Sequence, residues 1–139
     1  MERRDFLKTA TVATVGAAIP ATAQTAQPNA PVKRPESRDM IYRELGTTGE
    51  RVSAIGMGGY HLGKQPEASQ SIQLMHAGID RGITFLDNCW DYNDGISEVR
   101  MGQALRNGYR QKVFLITKMD GRTAVEYNKQ LEQSLGRLQ

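Results

Sequence analysis

The sequence predicts an α/β fold, the N-terminal portion of a (β/α)8 TIM barrel with a leading β-hairpin, the barrel being incomplete in this chain. Three observations carry that expectation. Short apolar runs alternate with segments of helical period from Ile55 onward, the pattern of parallel βαβ units. A glycine-bounded hairpin stands before the first of them, where it would plug the bottom of a barrel. Two of the buried runs end in ionisable residues, and an α/β barrel collects its catalytic groups at the C-terminal mouths of its strands. Alternation alone also fits a doubly wound sheet. The hairpin and the placement of the polar groups select the barrel.

Taken in order, residues 1–23 read as a twin-arginine signal peptide outside the fold. Arg3 and Arg4 open the run RRDFLK, the weakly apolar TATVATVGAAIP follows, and Ala21-Thr22-Ala23 has the small-x-small pattern of a leader-peptidase site. Glu2 stands where Ser or Thr usually precedes the arginines. A membrane span takes roughly 20 apolar residues, and this stretch is too short and too rich in Thr and Ala, so no stable membrane anchor is expected. The expected partner is the twin-arginine translocase, which carries proteins already folded, and the expected location is periplasmic or exported. Residues 24–40 hold three of the chain's five prolines and few apolar side chains. They read as a flexible linker.

The folded part is expected over 41–139. Tyr42 to Leu45 and Arg51 to Ala54 flank Gly46-Thr-Thr-Gly49, a hairpin signal. Ile55 to Gly58 is a short apolar strand. Ser69 to Arg81 carries Ile72, Met75 and Ile79 at helical spacing, and Gly82 sits where a C-terminal cap glycine belongs. Thr84 to Asp87 is a buried strand. Ser97 to Arg106 is a helix with Met101, Ala104 and Leu105 inward, stopped by Asn107-Gly108. Val113 to Thr117 is a continuous β-branched and apolar run of the kind parallel sheets bury. From Thr123 onward a helix places Tyr127, Leu131, Leu135 and Leu138 on one side, and Thr123 with Glu126 forms a capping box at its start.

Composition narrows the function. With 39% hydrophobic residues the chain can bury a core, and a formal charge of +3, scattered among acids, gives no footprint for nucleic acid. Cys89 is the only cysteine, which excludes an internal disulfide, and no Cys/His spacing suggests zinc.

The chemistry lies in FLDNCWDYNDG and VFLITK, which supply Asp87, Tyr92 and Lys118 at successive strand ends. A free tyrosine titrates near ~10, too high for an efficient proton donor or base at neutral pH. A neighbouring ammonium stabilises the phenolate and brings it into range. Lys118 can supply that charge, and Asp87 can keep the ammonium protonated inside a barrel mouth. The roles that follow are Tyr92 as general acid, Lys118 as electrostatic tuner and Asp87 as its orienter. Taken singly, each residue has a plainer use: a capping carboxylate, a packed loop aromatic, a solvated strand end.

From Tyr42 to Gln139 the sequence resembles the aldo/keto reductases. Tyr42-Arg-Glu-Leu-Gly-Thr-Thr-Gly and Val52-Ser-Ala-Ile-Gly-Met-Gly58 are similar to that family's hairpin and first strand. Asp87-Asn-Cys-Trp-Asp-Tyr92, Gly95-Ile-Ser97-Glu98, Met101-Gly102-Gln-Ala104-Leu105 and Thr117-Lys118 follow in family order. The resemblance implies reduction of a small-molecule carbonyl substrate with NADP(H), the tyrosine protonating the carbonyl oxygen. It places Gly58, Gly59, Tyr60 and Asp87 near the nicotinamide ribose, where the family carries a Thr-Trp pair at the positions of Gly59 and Tyr60. It also places Trp90 and His61 at the substrate pocket, although His61 as an exposed loop residue is an equal reading. Gly56-Met-Gly58-Gly59 is not a dinucleotide fingerprint, because His61 stands where the third glycine would be needed. His76 reads as a partly exposed helix residue without a role, and Cys89 as buried and inert.

In the family a histidine ending the fourth strand completes the site, and strands seven and eight grip the adenosine phosphate. A complete barrel takes roughly 250 residues, so 41–139 is expected to hold a hairpin and three β/α units of a truncated enzyme. Two functions follow from different classes. One is an exported NADP(H)-dependent aldo/keto reductase represented by its N-terminal part; the other is a non-catalytic fragment or binding module that retains the scaffold.

Overall fold

A computed structural model describes residues 31–139. The signal peptide expected at 1–23, and residues 24–30 of the expected linker, lie outside the described residues. Within them the elements follow the alternating order: hairpin strands β1 (Tyr42–Glu44) and β2 (Arg51–Ser53), then β3 (Gly56–Gly58), helix α1 (Gly59–Gly63), α2 (Ala68–Asp80), β4 (Phe85–Asp87), α3 (Ile96–Ala104), β5 (Phe114–Ile116) and α4 (Ala124–Leu138). β1 and β2 pair antiparallel, Tyr42 opposite Ser53. β3, β4 and β5 form a parallel sheet in that order.

Local signals explain the helix boundaries. In α2, Glu67 and Gln70 make a reciprocal capping box that the sequence reading did not single out. Its far end turns at Gly82, whose φ of +101° suits glycine. A side chain there would also collide with Tyr42 and Ser37. Thr123 caps α4 through Glu126, as the sequence predicts. Asn107 and Gly108 are both left-handed and end the segment after α3.

The parallel register separates the sheet into two faces. Met57, Leu86 and Leu115 lie abreast and turn toward the helices, where Met75, Ile79, Met101, Ala104, Leu105, Val113 and Leu138 complete the core. The residues on either side face the other way, because side chains alternate along a strand. They form two rungs: Gly56, Phe85 and Phe114 below, Gly58, Asp87 and Ile116 above. The lower rung is aromatic, with Phe85 and Phe114 stacked 6.1 Å apart.

The hairpin sits at the N-terminal end of this sheet, as expected for a bottom plug. Ser53 and Thr84 fasten it: each backbone N–H donates to the other's hydroxyl at 2.9 Å. The Tyr42 hydroxyl donates to the Gly82 carbonyl at 2.9 Å and accepts from the Ser37 N–H at 2.8 Å. Residues 31–40 of the expected linker lie against the same end. Arg34 pairs with Glu50 and covers the Phe114 ring at 5.5 Å, and Arg51 pairs with Glu36 at 2.8 Å.

Two expectations need correction. Residues Gly59–Gly63 form a short helix rather than a loop. On α4 only part of the expected side is buried: Leu138 is in the core and Leu131 is half-buried, whereas Tyr127 and Leu135 are exposed and Ser134 is buried instead. The cause is the hydrogen-bonding demand of Glu98, described below.

Candidate active site

Asp87 closes β4 at the level of Gly58 and Ile116. Lys118 lies two residues beyond Ile116, so the same alternation carries both side chains to one face of the sheet. The ladder continues past the assigned strands, with the Asn88 N–H donating to the Ile116 carbonyl at 2.8 Å and the Trp90 N–H to that of Lys118 at 2.9 Å. These bonds hold the segment bearing Tyr92 beside the one bearing Lys118.

The three residues of the expected relay meet. The Lys118 ammonium donates to Asp87 Oδ1 and lies 5.3 Å from the centroid of the Tyr92 ring. Burial pulls the Lys118 ammonium down. The Asp87 carboxylate, with smaller help from Tyr92 and Cys89, pulls it up more strongly, so it titrates above the ordinary lysine value. Lys118 is therefore charged at neutral pH. The site opens to water, with the side chains of Lys118 and Asp87 43% and 42% exposed.

Behind Tyr92 the backbone reverses through Asn93, Asp94 and Gly95, all left-handed, at φ of 53°, 54° and 86°. Asn, Asp and Gly are the residues that tolerate this region. The turn is tied to α1 by Asn93, whose Nδ2 donates to the Tyr60 carbonyl at 2.9 Å. Tyr60 meets Tyr92 edge-on at 5.5 Å and is covered by the Lys64 ammonium at 4.4 Å.

The remaining candidates separate. Gly58 is exposed at the mouth, with open space where a side chain would stand. Gly59 is buried, and a Cβ there would lie 2.5 Å from the Asn88 amide, so packing accounts for this glycine. His61 is exposed on α1, edge-on to Tyr60 at 5.4 Å. Trp90 turns toward α4: its Nε1 donates to Gln133 at 2.8 Å, and it borders a cavity of about 220 Å³ with Asp91, Asp94 and Arg137. The Cys89 thiol is pushed up by burial and then by Asp91. His76 is stacked on Tyr109 at 3.9 Å with Nε2 2.8 Å from the Ala104 carbonyl, a structural arrangement.

A larger cavity, about 520 Å³, lies at the opposite end among residues 31–36, Tyr42, Gly49, Arg51 and Thr84. It contains none of the relay residues. The candidate residues stand instead at the strand mouths, the end at which α/β barrels carry their active sites. Among the described residues no group of His, Cys, Asp and Glu could hold a metal ion, and no helix is long and apolar enough to cross a membrane.

The sequence reading passed over a buried polar layer beneath the relay. Asn88, Ser97, Glu98 and Ser134 are all buried. Asn88 Oδ1 accepts from the Cys89 N–H at 2.9 Å and lies 3.0 Å from the Ser97 hydroxyl, which also lies 2.6 Å from the Gly59 carbonyl. Glu98 accepts from Thr117 at 2.6 Å and from Ser134 and Arg137 at 3.1 Å each. A signal was present: Ser97 and Glu98 occupy the stripe that also carries Met101, Ala104 and Leu105.

Residues 54–139 match the model of the aldo/keto reductase family. The chain is 38% identical over 102 residues to the aldo-keto reductase AMT2 of Alternaria alternata, a match covering 68% of this chain and 28% of that protein. Among solved structures, the holo form of the aldo-keto reductase AKR11C1 from Bacillus halodurans superposes with a TM-score of 0.62 at 27% identity, over 71% of this chain and 36% of that one. An aldo-keto reductase from Klebsiella pneumoniae in complex with NADPH superposes with a TM-score of 0.57 at 36% identity, over 65% and 32%. The α/β fold is thus that of the aldo-keto reductase barrels, present here as a part. The chain spans about a quarter to two fifths of the length of the relatives it matches. With its hairpin, parallel strands and matched segment, the chain belongs to the aldo/keto reductase family, a family of oxidoreductases.

Proposed function

We propose that residues 41–139 supply the N-terminal part of an NADP(H)-dependent aldo/keto reductase acting on a small-molecule carbonyl. The observation that carries this reading is the Asp87–Lys118 ion pair with its ammonium above Tyr92. Tyr92 is the general acid that gives its proton to the carbonyl oxygen. Lys118 stabilises the phenolate left behind, and Asp87 keeps the lysine charged and oriented.

The residues present suit the cofactor's nicotinamide end. Gly58 leaves its backbone approachable at the mouth, Asp87 offers carboxylate oxygens to ribose hydroxyls, and Tyr60 stands exposed beside them. When bound, the cofactor supplies the hydride. The Klebsiella pneumoniae structure with NADPH supports this choice of nucleotide. His61, exposed on α1, is proposed to limit the substrate side, and Trp90, although its ring turns toward α4, to do so from the segment between Asp87 and Tyr92. The run RRDFLK supports export by the twin-arginine translocase, with a periplasmic destination. Of the expected linker over 24–40, residues 31–40 lie against the hairpin end and belong with the enzyme portion.

A second reading is a scaffold without turnover, in which the Asp87–Lys118 pair is a half-exposed ion pair with a structural use alone. One experiment separates the two. Residues 41–139 are exchanged for the matching segment of the Klebsiella pneumoniae reductase, and carbonyl-dependent NADPH oxidation is measured with and without Lys118→Met. Turnover that falls by about 100-fold in the variant fits a relay. Turnover indifferent to the change, or none in the unmutated chimera, favours the scaffold.

A further inference from the structure

We propose that Glu98 is a positioning residue that sets the approach of Lys118 to Tyr92, a role that rests on the relay described above. Glu98 is fully buried, yet its carboxylate touches neither relay residue. It reaches both through two arms. One oxygen accepts from Thr117, the residue immediately before Lys118, at 2.6 Å. The other accepts from Arg137 Nη1 at 3.1 Å, and the same nitrogen donates to the carbonyl of Trp90 at 2.9 Å, two residues before Tyr92. Ser134 supplies a third donor at 3.1 Å and leaves the carboxylate well satisfied.

The surroundings are shaped for these arms. Gly95 leaves the space that the Arg137 guanidinium occupies, and Gly102 lets the Arg137 backbone come against α3; a Cβ at either would overlap the arginine. Arg137 also lies 5.8 Å from the Trp90 ring centroid, which steadies the second arm. The strand ends bearing Tyr92 and Lys118 are half-open to solvent, whereas the carboxylate joining them is not. A fixed buried anchor under two exposed segments controls their separation better than the exposed groups can.

Glu98→Gln is the direct test, but loss of a buried charge beside Arg137 can unfold the protein. Thr117→Val and Thr117→Ser leave that pair in place and discriminate more sharply. Valine keeps the volume and loses the donor; serine keeps the donor and loses the methyl. In the full chain, NMR follows the cross-peak between the Lys118 ε-protons and the Tyr92 ring, together with the titration of Lys118. The proposal expects Thr117→Val to lose the cross-peak and to move the Lys118 titration down toward the ordinary lysine value, and Thr117→Ser to keep both. If valine keeps both readouts, or if serine loses them and valine does not, Thr117 acts through packing and the proposal is overturned. Neither readout requires turnover, so its failure is distinct from a failure of the reductase reading, which the chimera reports.

Discussion

Lys118 is subject to opposing influences. Burial favours its neutral form, while Asp87 favours the charged one and prevails. With its folded titration raised, the pair's contribution to stability is complete below the ordinary lysine value. It is lost as pH rises through the raised one. Asp87→Asn removes the favourable partner and leaves the burial, so we expect Lys118 to titrate below wild type. Lysine side-chain NMR across the alkaline range reads this directly, and an unmoved titration would contradict the assignment of Asp87 as its orienter. The placement of Asp87 and Lys118 on one face was legible because strand ends and period-two alternation fix where such side chains go. The burial of Ser97 was signalled by its stripe, but its bonds and those of Asn88 were not legible, since a buried amide or hydroxyl is intelligible only with its partners, here Gly59, Cys89 and Met101.

At the scale of elements, the packing of α3 against α4 explains why Leu138 of the expected α4 side is buried and Leu135 is not. Placing Leu135 inward would gain about 1.5–3 kcal/mol of burial. Rotating Ser134 and Arg137 away from Glu98 would strip donors from a buried carboxylate, and breaking a buried ion pair costs about 3–5 kcal/mol. The helix takes the orientation that serves Glu98, and Leu135 is left exposed. Gly102 permits the contact, since a Cβ would overlap the Arg137 carbonyl oxygen. Gly102→Ala must therefore push the helices apart, and we expect a loss of about 1–3 kcal/mol in urea unfolding. Unchanged stability would show that the close approach is not needed. By contrast, the capping box of α4 and the Gly82 stop of α2 were legible in the sequence, because both depend on residues a few positions apart.

For the whole molecule, the hairpin was expected from its glycine-bounded turn and the three parallel strands from alternation, while their register, and with it the sheet's second face, comes from the structure. What alternation could not show is how residues 31–40 lie against the hairpin end, since Arg34 finds Glu50 and Phe114 only in three dimensions. The proposed export signal gives a prediction of its own. Arg3→Lys with Arg4→Lys should hold the protein in the cytoplasm on fractionation, and unchanged export would remove the twin-arginine reading. The central claim, that Tyr92 is the proton donor of a carbonyl reductase, is tested most directly by Tyr92→Phe in the chimera carrying residues 41–139. The account predicts that kcat falls by at least about 100-fold while NADPH affinity stays within about twofold of the parent; an unchanged kcat would contradict it.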